Sequence, residues 1–267
     1  MIIYSKEAAL FNCSTQHSHD NIFSENIISN NGGWGGIYVK RSYNNRFTKN
    51  IISDNNGYGM LLKEIPCYNN RITENIFENN TEYGIIINTE GNNNNVIYHN
   101  SFINNPCNVY DISTNIYDNG YPIGGNYWSD FDEASEGAWD NNSDGIVDSP
   151  YNIPGGGNQD RYPLIHPWGW IPPPSIVYVD DDFNDTTPGW GVTNFSSIQD
   201  GINAVVPSGN VYVSNGSYYE NVVINKKINL IGEDRNGTII DGGGSGNVVY
   251  ITADGVNISG FTMVKTD

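Results

Sequence analysis

The stretch Asn45-Arg46-Phe47-Thr48-Lys49-Asn50-Ile51-Ile52-Ser53-Asp54-Asn55 decides the fold. Asparagine recurs at every fifth place, and an apolar side chain stands two residues after each of the first two asparagines. The same spelling appears in Asn21-Phe23-Asn26-Ile28-Asn31, Asn70-Ile72-Asn75-Phe77-Asn80 and Asn95-Ile97-Asn100-Phe102-Asn105. Successive first asparagines lie 24, 25 and 25 residues apart. The first three copies are followed by Gly36-Ile37-Tyr38-Val39, Gly59-Met60-Leu61-Leu62 and Gly84-Ile85-Ile86-Ile87. Self-similarity at such a period is the mark of a solenoid, in which each repeat buries its apolar face only against its neighbours.

The repeat spells short strands. An apolar-x-apolar triplet puts two side chains on one face of a β-strand, and the five-residue steps are too short for hairpins but suit a strand that bends at a corner. Three strands per coil, each stacked about 4.8 Å from its equivalent in the next coil, make three parallel sheets around a narrow core. The expected fold is therefore all-β, a right-handed parallel β-helix with coils of 24 to 25 residues. Ile28, Ile52, Phe77 and Phe102 should form an interior column. Asn26, Asn50, Asn75 and Asn100 should form an amide ladder, because a primary amide both donates and accepts along a stack. Leucine-rich repeats need a Leu-x-Leu frame and a helical return, and propeller blades need about 40 residues; neither pattern is present.

Composition agrees. The 267 residues include 42 Asn, 30 Gly and 18 Tyr, a turn-dense mixture whose Asn and Gly tolerate left-handed corners. The formal charge is -18, with 9 acidic against 7 basic side chains in residues 1–110 and 21 against 5 beyond them. That field disfavours nucleic acid and anionic membranes and suits divalent cations. Cys13, Cys67 and Cys107 have no metal-ligand spacing and read as small buried apolar residues, with one disulfide as the alternative. The first residues lack the basic and apolar regions of a signal peptide, so an export signal is expected outside this chain. No apolar run reaches the roughly 20 residues that span a bilayer.

After Asn105 the repeat stops. Residues 106–171 hold Trp128, Trp139, Trp168 and Trp170, read as an aromatic plug over the open end of the core rather than as sugar-stacking platforms. The expected organisation is coils over 1–110, a cap over 111–171, a Pro-rich linker over 172–176 and the start of a second β-helix over 177–267. That start should carry a short amphipathic helix within Phe195–Val205, opened by a Ser196/Gln199 capping box and covering the open end of the second core. Strands should follow around Val211–Val213, Val222–Ile224, Ile228–Ile231, Thr238–Ile240, Val248–Ile251 and Val256–Ile258.

The coils, together with Gly125-Asn126-Tyr127-Trp128-Ser129-Asp130 and Asp160-Arg161-Tyr162-Pro163-Leu164, resemble the NosD-type right-handed β-helix family and surface proteins of methanogen-type archaea. Val177-Tyr178-Val179-Asp180-Asp181, Ser197-Ile198-Gln199-Asp200-Gly201-Ile202, Gly216-Ser217-Tyr218-Tyr219-Glu220 and Ile231-Gly232-Glu233 resemble the N-terminal start of such helices and the first coils of pectin methylesterases. The resemblance implies a solenoid from a group of carbohydrate-binding proteins and sugar hydrolases. It also raises copper, for which His17, His19, His99, Met60 and the cysteines are the soft or borderline ligands, scattered over unlike repeat positions.

The best local site is Asp140-Asn141-Asn142-Ser143-Asp144-Gly145-Ile146-Val147-Asp148. Asp140, Asn142, Asp144 and Asp148 supply side-chain oxygens at positions 1, 3, 5 and 9 of a calcium loop, Gly145 its bend and Ile146 a backbone carbonyl at position 7. Tyr151 replaces the bidentate Glu of position 12. Asp180-Asp181-Asp182 reads as a solvated turn, and Arg46 and Arg71 as a short basic ladder on a solvated face. The coil acids Glu25, Asp54, Glu74 and Glu78 do not share a position, so no catalytic pair is assigned. Eight Asn-x-Ser/Thr sequons begin at Asn12, Asn79, Asn141, Asn184, Asn194, Asn215, Asn236 and Asn257. The favoured reading is a non-catalytic extracellular or cell-surface module, structural or carbohydrate-contacting and calcium-stabilised, within a longer repeat protein. The alternatives are a fragment of a polysaccharide-degrading enzyme and a copper-related accessory protein.

Overall fold

A computed structural model describes residues 18–266, together with the backbone of the short strands Ile2–Ile3 and Ala9–Phe11. Cys13, His17 and the sequon at Asn12 lie outside the described residues. The chain forms two compact units, Met1–Trp170 and Ile171–Asp267.

The first unit stacks parallel strands in three main sheets, and Ser18–His19 pairs with Ser42–Tyr43 beside them. One contains Ile2–Ile3, Ile27–Ser29, Ile51–Ser53, Ile76–Glu78, Ser101–Ile103 and Tyr127–Trp128. The second contains Ala9–Phe11, Gly35–Lys40, Tyr58–Lys63, Tyr83–Ile87 and Cys107–Asp111. The third contains Ile22–Ser24, Arg46–Thr48, Arg71–Thr73 and Val96–Tyr98. The register is the one that the repeat spells, with Ile28 on Ile52, Ile52 on Phe77, Phe77 on Phe102 and Phe102 on Trp128. All five side chains are fully buried.

Each asparagine column is a continuous hydrogen-bonded ladder. The side-chain amide of Asn26 donates to Oδ1 of Asn50, Asn50 to Asn75, Asn75 to Asn100 and Asn100 to Asn126, all within 2.9 to 3.0 Å. The columns begun by Asn21 and Asn31 repeat the pattern through Asn45, Asn70 and Asn95 and through Asn55, Asn80 and Asn105. Each Oδ1 also accepts the backbone N–H of the asparagine one coil earlier, as Asn75 does from Asn50 at 3.0 Å. No buried side-chain nitrogen or oxygen among the described residues lacks a partner.

The left-handed corner falls one residue before the asparagine, not on it. Asp20, Glu25, Asn44, Lys49, Asn69, Glu74, Asn94 and His99 all have φ between 54° and 61°. Polar residues other than asparagine are accepted at that corner because the adjoining ladder over-determines the backbone there. The ladder asparagines recur for their inward-facing amides, while asparagine also fills half of the corners beside them, at Asn30, Asn44, Asn69, Asn79, Asn94 and Asn104. The glycines opening the second sheet have a packing cause as well: a Cβ on Gly59 would meet the carbonyl oxygen of Gly84 at 2.6 Å, and one on Gly84 that of Asn108 at 2.5 Å.

The plug is narrower than the tryptophan count suggested. Trp128 continues the interior column, its ring stacked on Phe102 at 4.6 Å and under Tyr151 at 4.2 Å. Trp139, Trp168 and Trp170 are 56%, 42% and 45% exposed, because none of them falls in register with a core position. Trp168 instead lies on the His99 ring and Trp170 on that of His166.

In the second unit, parallel strands Ile176–Val179, Asn210–Val213, Asn229–Gly232 and Asn257–Ser259 stack in one sheet, Gly216–Tyr219, Thr238–Asp241 and Thr262–Val264 in another, and Val222–Ile224 pairs with Val249–Ile251. The helix α1 spans Ile198–Ala204 and buries Ile198, Gly201 and Ile202. Its N-cap is Ser197, whose hydroxyl accepts from Asp200, rather than Ser196. Glu220 displaces the expected capping box by accepting the N–H groups of Ile198 at 2.7 Å and Gln199 at 3.0 Å, where the helix dipole favours a carboxylate.

Candidate functional site

Two features of the first unit hold chemistry not consumed by the core. The first is an open groove of about 500 Å³ on the third sheet. It is lined by the equivalent triplets Asp20-Asn21-Ile22, Asn44-Asn45-Arg46 and Asn69-Asn70-Arg71, with Val96 at one end. The corner residues Asp20, Asn44 and Asn69 bend each coil through a left-handed turn. Just before each triplet comes a ring: His19 stacks on Tyr43 at 4.9 Å and Tyr43 on Tyr68 at 5.0 Å, with interplanar angles of 15° and 6°. After each corner comes an exposed side chain: Ile22, Arg46 and Arg71. Arg46 pairs directly above Arg71 in the sheet register, so the basic ladder read from the repeat exists and forms a groove wall.

The charges of the groove are unequal in their commitments. Asp20 contributes its one lining carboxylate, and that group is bonded to Nδ1 of His19 at 2.6 Å. Arg71 lays its guanidinium over the Tyr98 ring, 4.9 Å from the centroid, and donates to its hydroxyl. Neither arginine has an ion-pair partner among the described residues. No second carboxylate lines the groove, so the two-carboxylate arrangement of a glycosidase is not formed there.

The second feature is the loop from Asp140 to Asp148. The two carboxylate oxygens of Asp140 accept the N–H groups of Asp144 and Gly145, Asn142 accepts from Asp144, and Asp144 accepts from Ile146. Gly145 has φ of 87°, which a side chain rarely adopts. The oxygens at positions 1, 3 and 5 are thus curled over one turn, and the bond from Ile146 lowers the Asp144 pKa. Asp148 faces elsewhere, accepting the backbone and side-chain N–H groups of Asn141 at 2.9 and 2.7 Å. Ile146 is buried, while Asn142, Asp144 and Asp148 are exposed. Tyr151 occupies position 12 because its ring closes the core over Trp128 and its hydroxyl bonds Asp130 at 3.1 Å.

In the second unit Asp180, Asp181 and Asp182 bring one oxygen each within 4.8 Å of the others, which is the one such group of three His, Cys, Asp or Glu side chains among the described residues. Asp180 and Asp181 already accept backbone N–H groups, from Asp182 and Ser217. The soft ligands are dispersed. Met60 and Cys67 are buried in the core, and burial raises the Cys67 pKa. His99 is buried, its Nε2 bonded to the Ile123 carbonyl at 2.8 Å, and burial lowers its pKa. Cys67 and Cys107 are free thiols.

Parallel coils, asparagine ladders and a capped core define a β-solenoid. Residues 11–133 match the family model described as periplasmic copper-binding protein (NosD), so this part of the chain is similar to that β-helix family. No curated protein and no solved structure matches the chain. The described residues of the first unit do not fit copper, since no set of imidazole, thiol or thioether groups converges in it. Among the described residues, no helix is long and apolar enough to cross a membrane.

Proposed function

We propose that the chain is a non-catalytic extracellular or cell-surface module whose first β-solenoid presents a carbohydrate-contacting face and is braced by calcium at the Asp140–Asp148 loop. The observation that carries this reading is the groove on the third sheet, flanked by the stacked rings of His19, Tyr43 and Tyr68. The faces of Tyr43 are taken by His19 and Tyr68, so the row offers ring edges and hydroxyl groups beside polar donors, which suit the hydroxylated edge of a sugar ring. The groove holds one carboxylate, already bonded to His19, which favours binding over hydrolysis.

Incubating the purified chain with a panel of polysaccharides, with binding and the appearance of reducing or unsaturated ends followed together, tests it. The expected result is retention of at least one glycan with no new ends, and weakened retention in Tyr43→Ala. Turnover abolished by a single side-chain change would make the chain part of a polysaccharide-degrading enzyme, and absence of binding across the panel would remove the carbohydrate role.

A further inference from the structure

We infer that the groove selects an acidic sugar chain, with the Arg46 and Arg71 guanidinium groups receiving the carboxylates of uronic acid residues. The inference rests on the carbohydrate-contacting reading and names the class of glycan. Its starting point is the mismatch between local and global charge. The protein carries -18 overall, yet two arginines stand one coil apart in a single groove wall with no carboxylate partner among the described residues. The strongly acidic residues lie mainly beyond residue 110, whereas residues 1–110 hold 9 acids and 7 bases. An exposed cation left unpaired in so acidic a chain is available to an anionic ligand.

The arrangement also speaks for a carboxylate on a sugar. A guanidinium presents a planar fork that matches a carboxylate through two parallel hydrogen bonds. Arg71 is pre-oriented by the Tyr98 ring beneath it, so less rotational freedom is lost on binding. The rings of His19, Tyr43 and Tyr68 run along three coils just before the corner, and the arginines stand after it on two of those coils, with Ile22 in the equivalent place of the first. A chain of rings with a charge on each unit is the ligand that satisfies both rows. Asp20 does not oppose this, because its carboxylate is held by His19. At the far end of the same strands Lys49 lies between Glu25 and Glu74 in the stack, so that corner carries its own counter-charge and does not draw on Arg46 or Arg71.

The test is calorimetric titration of the whole chain with oligogalacturonate and with the same oligomers methyl-esterified, both with EDTA present so that calcium does not bridge acid to acid. Wild type should bind the acid form about tenfold or more tightly than the ester, as loss of charge-assisted bonds requires. In R46Q/R71Q that preference should vanish, and Tyr43→Ala should weaken both forms together with the preference kept. Equal binding of acid and ester would overturn the inference and leave the carbohydrate reading standing. No binding of either form, with a neutral glycan bound elsewhere in the panel, would overturn it likewise, whereas no glycan bound at all would remove both. Binding of dextran sulfate as tight as that of the uronate would mark a general polyanion surface and overturn the assignment to uronic acids.

Discussion

Oδ2 of Asp160 accepts the backbone N–H of Asn126 at 2.6 Å, in the place where a further asparagine amide would stand if the coils continued. The ladders of the first unit all donate toward later coils, so the last asparagine of each has a backbone N–H or an amide hydrogen left for a group beyond the coils. Each column ends on an acid: Asn95 donates to Asn115 and Asn115 to Asp111, Asn105 donates to Asn108 and Asn108 to Asp130, and Asn126 meets Asp160. A carboxylate accepts at several lone pairs and donates nothing, so it closes a chain of donors without leaving a new one unsatisfied. The cap is thus an electronic terminus as well as a steric one.

Asp160 makes that terminus sensitive to pH. Burial pushes its pKa from 3.8 to about 7, with the N–H groups of Asn126, Trp128 and Tyr162 holding back part of the rise. A carboxyl raised in the folded state binds a proton there that the unfolded chain has released, so its contribution is full below the unfolded value and is lost as pH rises through the folded one. The melting temperature of the first unit should therefore fall between about pH 4 and pH 7 more steeply in wild type than in Asp160→Asn, which keeps an acceptor but does not titrate. Parallel profiles for the two proteins would show that Asp160 is not the titrating group.

The ladder is expected to matter most in its middle. Asn75 accepts twice from Asn50 and donates to Asn100, to the Phe47 carbonyl at 2.8 Å and to that of Thr73 at 3.1 Å. Asn75→Ala strands these buried groups at about 1–3 kcal/mol each, so a loss of roughly 3 kcal/mol or more is expected. Asn21→Ala, at the exposed first rung, should cost less than about 1 kcal/mol. Denaturant titration of both variants measures the difference, and similar losses would mean that the ladders contribute little.

How much was legible follows from which signals repeat. The column Ile28, Ile52, Phe77 and Phe102 and the Asn26 ladder could be read because each position recurs at one spacing, and stacking turns recurrence into contact. Trp128 and Asn126 extend both beyond the last full copy, but Gly125-Asn126-Tyr127-Trp128 keeps only the asparagine and one apolar place, so their register was not. The caps of the ladders were hidden for a related reason: Asp111, Asp130 and Asp160 reach them from loops with no period. The left-handed corners expected of asparagine do fall on Asn30, Asn44, Asn69, Asn79, Asn94 and Asn104, but also on Asp20, Glu25, Lys49, Asp54, Glu74 and His99, which general tolerance alone does not single out. Of the candidate site, Arg46 and Arg71 were visible as a ladder, but the groove depends on a bend that the sequence pattern does not display.

Trp128 separates the plug from the exposed tryptophans. Its ring lies between Phe102 and Tyr151, and its indole N–H donates to Asp160 at 2.9 Å. Trp128→Ala removes the end of the column and one donor, for an expected loss of about 3–5 kcal/mol. Trp139→Ala, on a side chain 56% exposed, should change stability by no more than about 0.5 kcal/mol. Thermal melts of the two variants suffice, and a Trp139 effect as large as that of Trp128 would place it in the core after all.

Calcium is the remaining expectation with a clear number. The Asp140–Asp148 loop offers side-chain oxygens at four positions but has Tyr151 where a bidentate glutamate would complete the site, and Asp148 must leave Asn141 to join. Weak binding is therefore expected, of the order of 0.1 to 1 mM as in extracellular modules. At about 10 mM calcium a ligand of that affinity stabilises the folded state by roughly 1.4 to 2.7 kcal/mol. The melting transition of the first unit should rise accordingly with calcium but not with magnesium, which demands near-ideal octahedral geometry. Asp144→Ala should abolish the rise, whereas Asp181→Ala, in the carboxylate turn of the second unit, should leave it intact. An unchanged melting temperature in wild type at that concentration would remove the loop as a calcium site, and loss of the rise in Asp181→Ala would move the site to the second unit.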